Sequence, residues 1–566
     1  MKLACRCSEK ENKRVSARAL LGGVAGDGLG IRRNWPATLL LGARRRHQDH
    51  SNPRSAVVRN YLDIRNLSAI ISILRTVSYS PTSGLLIPQP DCPCPGTLLA
   101  QCPKLAHEWS SPLKLSKGET QSAGVSGLNT IRHLPGFEGP LPFSLETGYV
   151  NVDEANDVQL FYYFIQSERN PKIDPLIVWI TGGPGCSALS GLLFEIGPLQ
   201  FDVSGYTEGL LPSLLYRQSS WTQAANIIFL DSPVGTGFSY SSTPQGQVTS
   251  DTISSNDVCT FMKKWYADHP SFISNPLYIG GDSYSGLVVP VIAQYIAEGR
   301  AQDDLQFNLK GYLVGNPSTD FAYDGNAIIP YAHGMGLISD ELYEATKKSC
   351  KGVYQTPINA ECDRNLQAVN QGLLGINNVH ILEPLCFFAS PKPGEASTSR
   401  RELPEENFKV PLLKADLPLS CRSSAYLLSY SWTNNDTVRQ VLGIHKGTKP
   451  YWIRCNYGIN CTNDVPSSLQ YHLSLTSNGY RALVYSGDHD MTVPYLGTQA
   501  WIRSLNFSIV DDWRSWWVDS QIAGFTRRYS NNLTFVTIKG GGHTAPEYLP
   551  RECLVMVDRW LSEAPL

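Results

Sequence analysis

The chain has 566 residues, of which 42% are hydrophobic and 17% charged, with a net charge of −2. Those are globular values at a length that can bury a large core, so a wholly disordered chain is excluded. Residues 1–60 carry 13 Lys/Arg against 4 Asp/Glu, which leaves an acidic remainder and argues against nucleic acid as a partner.

The first 125 or so residues contain RRNWPATLLLGARRR, DCPCPG and scattered Gly, Ser and Pro, with no sustained periodicity. The apolar piece Ala37–Leu41 is too short for a signal peptide and runs into arginines. An Arg-rich, acid-poor start fits an organelle transit peptide or non-native sequence joined upstream. The segment is expected to be disordered and functionless, because it cannot offset its own ordering entropy. Cys5, Cys7, Cys92, Cys94 and Cys102 lie here without the paired spacing of a zinc site, so no metal is assigned. No apolar run in the chain approaches the length of a membrane span.

From about Ile131 strands and helices alternate. PLIVWI, NIIFLD, LYIGG, LKGYLVGN, RALVYSGD and LTFVTIKGG are β-rich runs, each ending at or just before Gly, Asn, Asp or Thr-Gly-Gly. This alternation predicts an α/β domain, 126–566, around a mainly parallel sheet whose chemistry collects past the carboxyl ends of its strands. Between about 323 and 461 the alternation lapses into a cysteine-rich insertion, read as a cap over the sheet. It includes the polar loop ASPKPGEASTSRRELPEENFKVP.

The stretch LYIGGDSYSG, followed by the helical run LVVPVIAQYIAEG, places Ser283 at a glycine-flanked strand-to-helix turn. Such a turn pushes a serine Oγ clear of a hydrolase sheet. A serine hydroxyl needs a base and a group that orients the base, expected in the order Ser, Asp, His. RALVYSGDHDMTVP runs into Asp488 and Asp490, and LTFVTIKGGGHTAPEYLP runs through three glycines into His543. Asp490 is preferred because it lies deeper in its turn, and His489 is the weaker base because it adjoins Asp490. An oxyanion needs two N–H donors. Tyr284 follows the nucleophile, and Gly183 lies in the glycine turn VWITGGPGCSALSG. No HExxH or enclosing ligand set is present, so neither metal nor cofactor is assigned.

GGPGCS (182–187), LDSPVGTGFSYS (230–241), GDSYSG (281–286), GDHDMTVP (487–494) and GGGHTAPEYLP (540–550), taken together, resemble the serine carboxypeptidase family. HLPGFEGPLPFSLETGYV resembles the family's mature start. The resemblance implies an α/β-hydrolase fold with a disulfide-rich cap insertion, a Ser283, Asp490, His543 triad, and oxyanion donors at Gly183 and Tyr284.

Peptidases of this family hold a C-terminal carboxylate with an Asn before the two glycines, a Glu before the nucleophile and a second Glu on the helix that follows the glycine turn. Here those positions are Thr181, Asp282 and Glu195. Thr181 together with GDSYSG resembles the plant acyltransferase branch, which moves an acyl group from a 1-O-β-glucose ester to an alcohol. The loop around Arg400 and Arg401 resembles one that some of these enzymes lose by proteolysis. The expected partners are therefore a small-molecule acyl donor and acceptor, with a peptide C-terminus under the alternative reading of a carboxypeptidase. A catalytically dead binding protein is disfavoured by the complete triad.

Nine cysteines lie in the main body. The family resemblance implies the pairs Cys186–Cys455, Cys350–Cys362 and Cys386–Cys421, and leaves Cys259, Cys461 and Cys553 unassigned. Sequons at Asn435, Asn460, Asn506 and Asn532 agree with a secretory route. A vacuolar or extracellular destination is expected, since disulfides and glycans need an oxidising lumen.

Overall fold

The six apolar runs picked out in the sequence form the parallel centre of one twelve-stranded sheet. In the computed structural model its strands begin with β1 (Asn129–Ile131), β2 (Leu145–Asp153), β3 (Val158–Ile165) and β4 (Leu176–Ile180). They continue with β5 (Asn226–Leu230), β6 (Leu277–Asp282), β7 (Leu309–Gly315) and β8 (Arg481–Gly487). The last three are β9 (Ile509–Val518), β10 (Gln521–Tyr529) and β11 (Leu533–Ile538), and the short strand Tyr240–Ser241 pairs with β3. The order across the sheet is β1-β2-β3-β5-β4-β6-β7-β8-β11-β10-β9. Every pairing from β5 to β11 is parallel, whereas both flanks are antiparallel. The sheet is thus mixed, with a parallel core. The central strands are covered on both faces and so read as continuous apolar runs, as every residue of β4 and β5 is buried.

The structure describes residues 129–299, 306–386, 421–422 and 424–566, all within the unit Gly118–Leu566. The extension 1–125 with its five cysteines lies outside the described residues, as does the polar loop around Arg400 and Arg401. Among the described residues no helix is long and apolar enough to cross a membrane.

One face of the sheet is covered by α1 (Asp251–Asp268) and α2 (Ser285–Ala297), which contribute Phe261, Met262, Val289 and Ile292 to the core. The other face buries Trp179 and Phe229 against Leu192, Trp221, Met556 and Trp560. Each large apolar side chain fully buried in this way contributes about 1.5–3 kcal/mol.

Within the insertion, α3 (Phe321–Gly334), α4 (Asp340–Cys350) and α5 (Ala360–Leu373) gather around Ile329, Tyr331 and Val369, with Met491 packed among them. Asn359 caps α5 by accepting the N–H groups of Glu361 and Cys362. Disulfides join Cys350 to Cys362, Cys386 to Cys421, and Cys186 to Cys455. The last ties the glycine turn after β4 to the end of the insertion. Among the described residues Cys461 and Cys553 form no disulfide.

Candidate active site

Ser283 follows β6 directly, with a backbone φ of 55°. A left-handed φ is costly for a residue with a Cβ, and here the surroundings hold it in place. Its N–H donates to the Gly315 carbonyl, and its own carbonyl accepts the N–H groups of Gly286 and Ser318. Glycines flank it because there is no room: a Cβ on Gly281 would strike the Ile180 carbonyl, and one on Gly286 would strike Pro317.

The Ser283 Oγ lies 2.7 Å from His543 Nε2, and His543 Nδ1 lies 2.8 Å from Asp490 Oδ2. Asp490 is fully buried. It also accepts hydrogen bonds from Asn316 Nδ2 at 2.8 Å, Thr492 N at 2.7 Å and Val493 N at 3.2 Å. The His543 N–H is anchored on the Val379 carbonyl. Burial alone would lower the His543 pKa, but the adjacent Asp490 carboxylate outweighs it, with Asp282 adding to the rise. Asp488, two residues from Asp490, faces elsewhere. Its carboxylate accepts the Gly540 N–H at 2.7 Å and meets His489 Nδ1 at 2.6 Å, fastening the glycine turn that carries His543.

Gly182 presses against the backbone from Asp282 to Tyr284: a Cβ there would sit 2.8 Å from the Tyr284 nitrogen. Gly183 follows with a φ of 126°. Both candidate oxyanion donors therefore lie on touching segments beside Ser283.

The three candidate substrate residues are buried. The Thr181 hydroxyl is enclosed without a hydrogen-bond partner among the described residues. Asp282 Oδ1 accepts the Gly182 N–H at 3.1 Å. Burial pushes the Asp282 carboxyl up to about 6, against the lowering influence of His543. Glu195 is raised well above the usual range by burial, and further by Asp282 and Glu547. Its Oε2 has no hydrogen-bond partner among the described residues.

Three further residues join this group that the sequence did not single out. Glu547, four residues after His543, accepts hydrogen bonds from the Tyr426 phenol at 2.7 and 2.8 Å and from Thr544 Oγ1 at 2.9 Å. Arg454 stacks its guanidinium 4.2 Å above the Tyr426 ring and acts electrostatically on Glu195 and Glu547. Asn316 supports both Asp490 and the Gly487 N–H. Only Asn316 leaves a sequence signal, as the residue that ends LKGYLVGN.

Of the sequon residues, Asn460, Asn506 and Asn532 are exposed and Asn435 is half-buried. Asn435 caps a short helix through its Oδ1, and the Asn532 amide donates to the Gly479 carbonyl.

The family model described as serine carboxypeptidase matches residues 135–563. The chain belongs to the serine carboxypeptidase family. It is similar to serine carboxypeptidase-like 3 of Arabidopsis thaliana, at 49% identity over 78% of this chain and 94% of that protein. Serine carboxypeptidase-like 1 of the same plant is 50% identical over 80% of this chain and 95% of its own. Serine carboxypeptidase-like 10 is 50% identical over 78% and 96%. A prohormone-processing carboxypeptidase from Saccharomyces cerevisiae shares the fold, with a TM-score of 0.61 and 19% identity over 77% of this chain and 96% of that one. Family membership makes the protein a serine hydrolase with an α/β-hydrolase fold.

Proposed function

We propose that the protein is an acyltransferase that moves an acyl group from a 1-O-β-glucose ester to an alcohol through an acyl-enzyme on Ser283. One observation carries this reading. Two of the three positions that would hold a peptide's C-terminal carboxylate face inward, with the Thr181 hydroxyl buried and Asp282 spent on the Gly182 N–H. Losing charge-assisted hydrogen bonds of roughly 1.5–3 kcal/mol each would leave peptides weakly bound.

The chemistry uses no cofactor. Ser283 Oγ attacks the ester carbonyl as His543 Nε2 takes its proton, and Asp490 stabilises the imidazolium. The N–H groups of Gly183 and Tyr284 hold the oxyanion. Glucose leaves with the proton from His543, which then deprotonates the acceptor hydroxyl as it attacks the acyl-enzyme. With three disulfides joining the cap to itself and to the core, the protein would mature in an oxidising lumen on the way to the vacuole or exterior.

Carboxypeptidase activity is the second reading, favoured by the buried Asp282–Glu195 pair. Two such carboxyls share protons, which suits carboxylate binding at acidic pH. Assaying a phenolic acyl glucose with alcohol acceptors, alongside a blocked dipeptide at acidic pH, separates the two. Acyl transfer with weak peptide cleavage is expected, and both should vanish in Ser283→Ala. Efficient release of C-terminal amino acids without transfer would replace the acyltransferase reading with the peptidase.

A further inference from the structure

Behind the serine turn lies a cavity of about 20 Å3, lined among others by Thr181, Asp251, Ser254, Tyr284 and Ser285. It has room for one water. Thr181, only 7% exposed, is one of its lining residues, and no group among the described residues satisfies its buried hydroxyl. A buried hydroxyl without a partner is unfavourable, and one water supplies the missing hydrogen bond. Across the cavity the Tyr284 phenol donates to Asp251 Oδ1 at 2.7 Å, while the Val465 N–H donates to Asp251 Oδ2 at 3.0 Å. Asp251 opens α1 and Tyr284 immediately precedes α2, so this bond ties together the starts of two helices that cover the same face of the sheet.

We propose that this cavity is a one-water site bracing the oxyanion turn, in which Asp251 positions Tyr284 through its phenol and the water ties in Thr181. The inference rests on the reading of Ser283 as nucleophile and of the Gly183 and Tyr284 N–H groups as oxyanion donors. A backbone donor stabilises developing charge only if its peptide plane is already aimed. Tyr284 gains that fixity from a side chain clamped at its far end. Gly182 and Gly183 have no side chains with which to anchor themselves. The Gly182 N–H is held by Asp282 Oδ1 at 3.1 Å, and Thr181, one residue upstream, adds a second hold through the water. Thr181 then acts on the rate of the chemical step, and not on substrate affinity.

The test uses the full-length protein and three variants, with active sites counted by a phosphonofluoridate that derivatises a reactive serine. Tyr284→Phe removes the phenol hydroxyl, and Thr181→Val removes the water's anchor while keeping its shape. The kcat per counted site should fall about tenfold in Tyr284→Phe and several-fold in Thr181→Val, with KM within about twofold. Binding of a boronic acid that mimics the tetrahedral intermediate should weaken by the same factors. Thr181→Ser should restore the wild-type rate, and a crystal structure should show an ordered water on the Thr181 hydroxyl. An unchanged kcat per counted site, with only the Tm lowered, would overturn the brace. A raised KM at constant kcat would overturn it too, and return Thr181 to substrate binding. An empty cavity in a high-resolution crystal structure would have the same result. If the wild-type Ser283 does not react with the phosphonofluoridate at all, the nucleophile reading fails first and takes the brace with it.

Discussion

The ends of the central strands and the surface built over them by the insertion are organised differently. At the strand ends each group is fixed by its own stretch of chain: Ser283 by β6 and α2, Asp490 by the turn after β8, and His543 by the turn after β11. Their positions follow from the sheet. Over the sheet, Arg454, Tyr426 and Glu547 come from three distant segments and meet only through tertiary packing. The difference separates two tasks. On the proposed function, rigid strand ends suit the groups assigned to bond breaking, whose geometry tolerates little error, and the assembled surface is the part assigned to substrate selection.

The largest effect should follow from breaking the strand-end set at one of two neighbouring acids. Asp490→Asn keeps the shape but leaves His543 in the wrong tautomer, so kcat should fall roughly 10³–10⁴-fold. Asp488→Asn retains an acceptor for the Gly540 N–H and should cost no more than about threefold. Steady-state kinetics on the same acyl donor decides. Equal losses would mean that the triad acid is not confined to Asp490, and the contrast between a fixed catalytic end and its supporting turn would collapse.

A smaller effect is expected over the sheet. The Arg454 guanidinium makes no hydrogen bond among the described residues and lies half-buried beside Glu195 and Glu547, so it is available to a substrate. Arg454→Gln should raise KM roughly tenfold, the worth of one charge-assisted hydrogen bond, and leave kcat within about threefold. A fall in kcat at constant KM would instead place Arg454 with the strand-end groups.

The same division explains what could be read from the sequence. The parallel strands were legible because burial on both faces leaves continuous apolar runs, and the serine, acid and histidine stand where those runs stop. The flanking strands were not. In β9, IVDDWRSWWV is largely exposed and irregular in register, so it carries neither a continuous apolar run nor a clean alternation. Asp490 could be preferred over Asp488 from its place in the turn, but the opposing task of Asp488 needed the coordinates. Glu547 stood inside a motif already quoted, yet nothing local to GGGHTAPEYLP reveals that Tyr426, over a hundred residues earlier, donates to it. Arg454 adjoins a disulfide cysteine, and its stacking partner is likewise remote in sequence.

The smallest predicted effect is on stability, and its sign follows from the buried carboxyls, those of the same cluster among them. Burial raises Asp282 to about 6 and Glu195 well above its usual range, and burial also raises Glu547. For a carboxyl whose folded pKa lies above its unfolded value, the contribution to stability is complete below the unfolded value, near 4, and is lost as pH rises through the folded one. Asp231, raised by burial to about 6, acts in the same direction, as do Asp257 and Asp324, raised by burial to about 7, and two raised histidines. Buried His472, lowered to about 3, opposes them. Burial opposes protonation of each raised histidine, but Asp490 prevails at His543. At His269 the Glu146 carboxylate, 3.0 Å from Nε2, and the Trp265 carbonyl, 2.8 Å from Nδ1, prevail. Exposed acids with lowered values, such as Asp519 in its pair with Arg551, work the other way but are screened by solvent. The Tm should therefore be roughly 2–5 °C higher at about pH 5 than at about pH 7.5. The double variant Asp282→Asn, Glu195→Gln should reduce that slope measurably, because neither amide has to ionise in a buried site. The control Glu361→Gln, on the exposed surface of α5, should leave the slope as it is. A Tm that climbs with pH across this window, or a slope that survives the double variant intact, would mean that the cluster beside Ser283 does not set the acid preference of the fold.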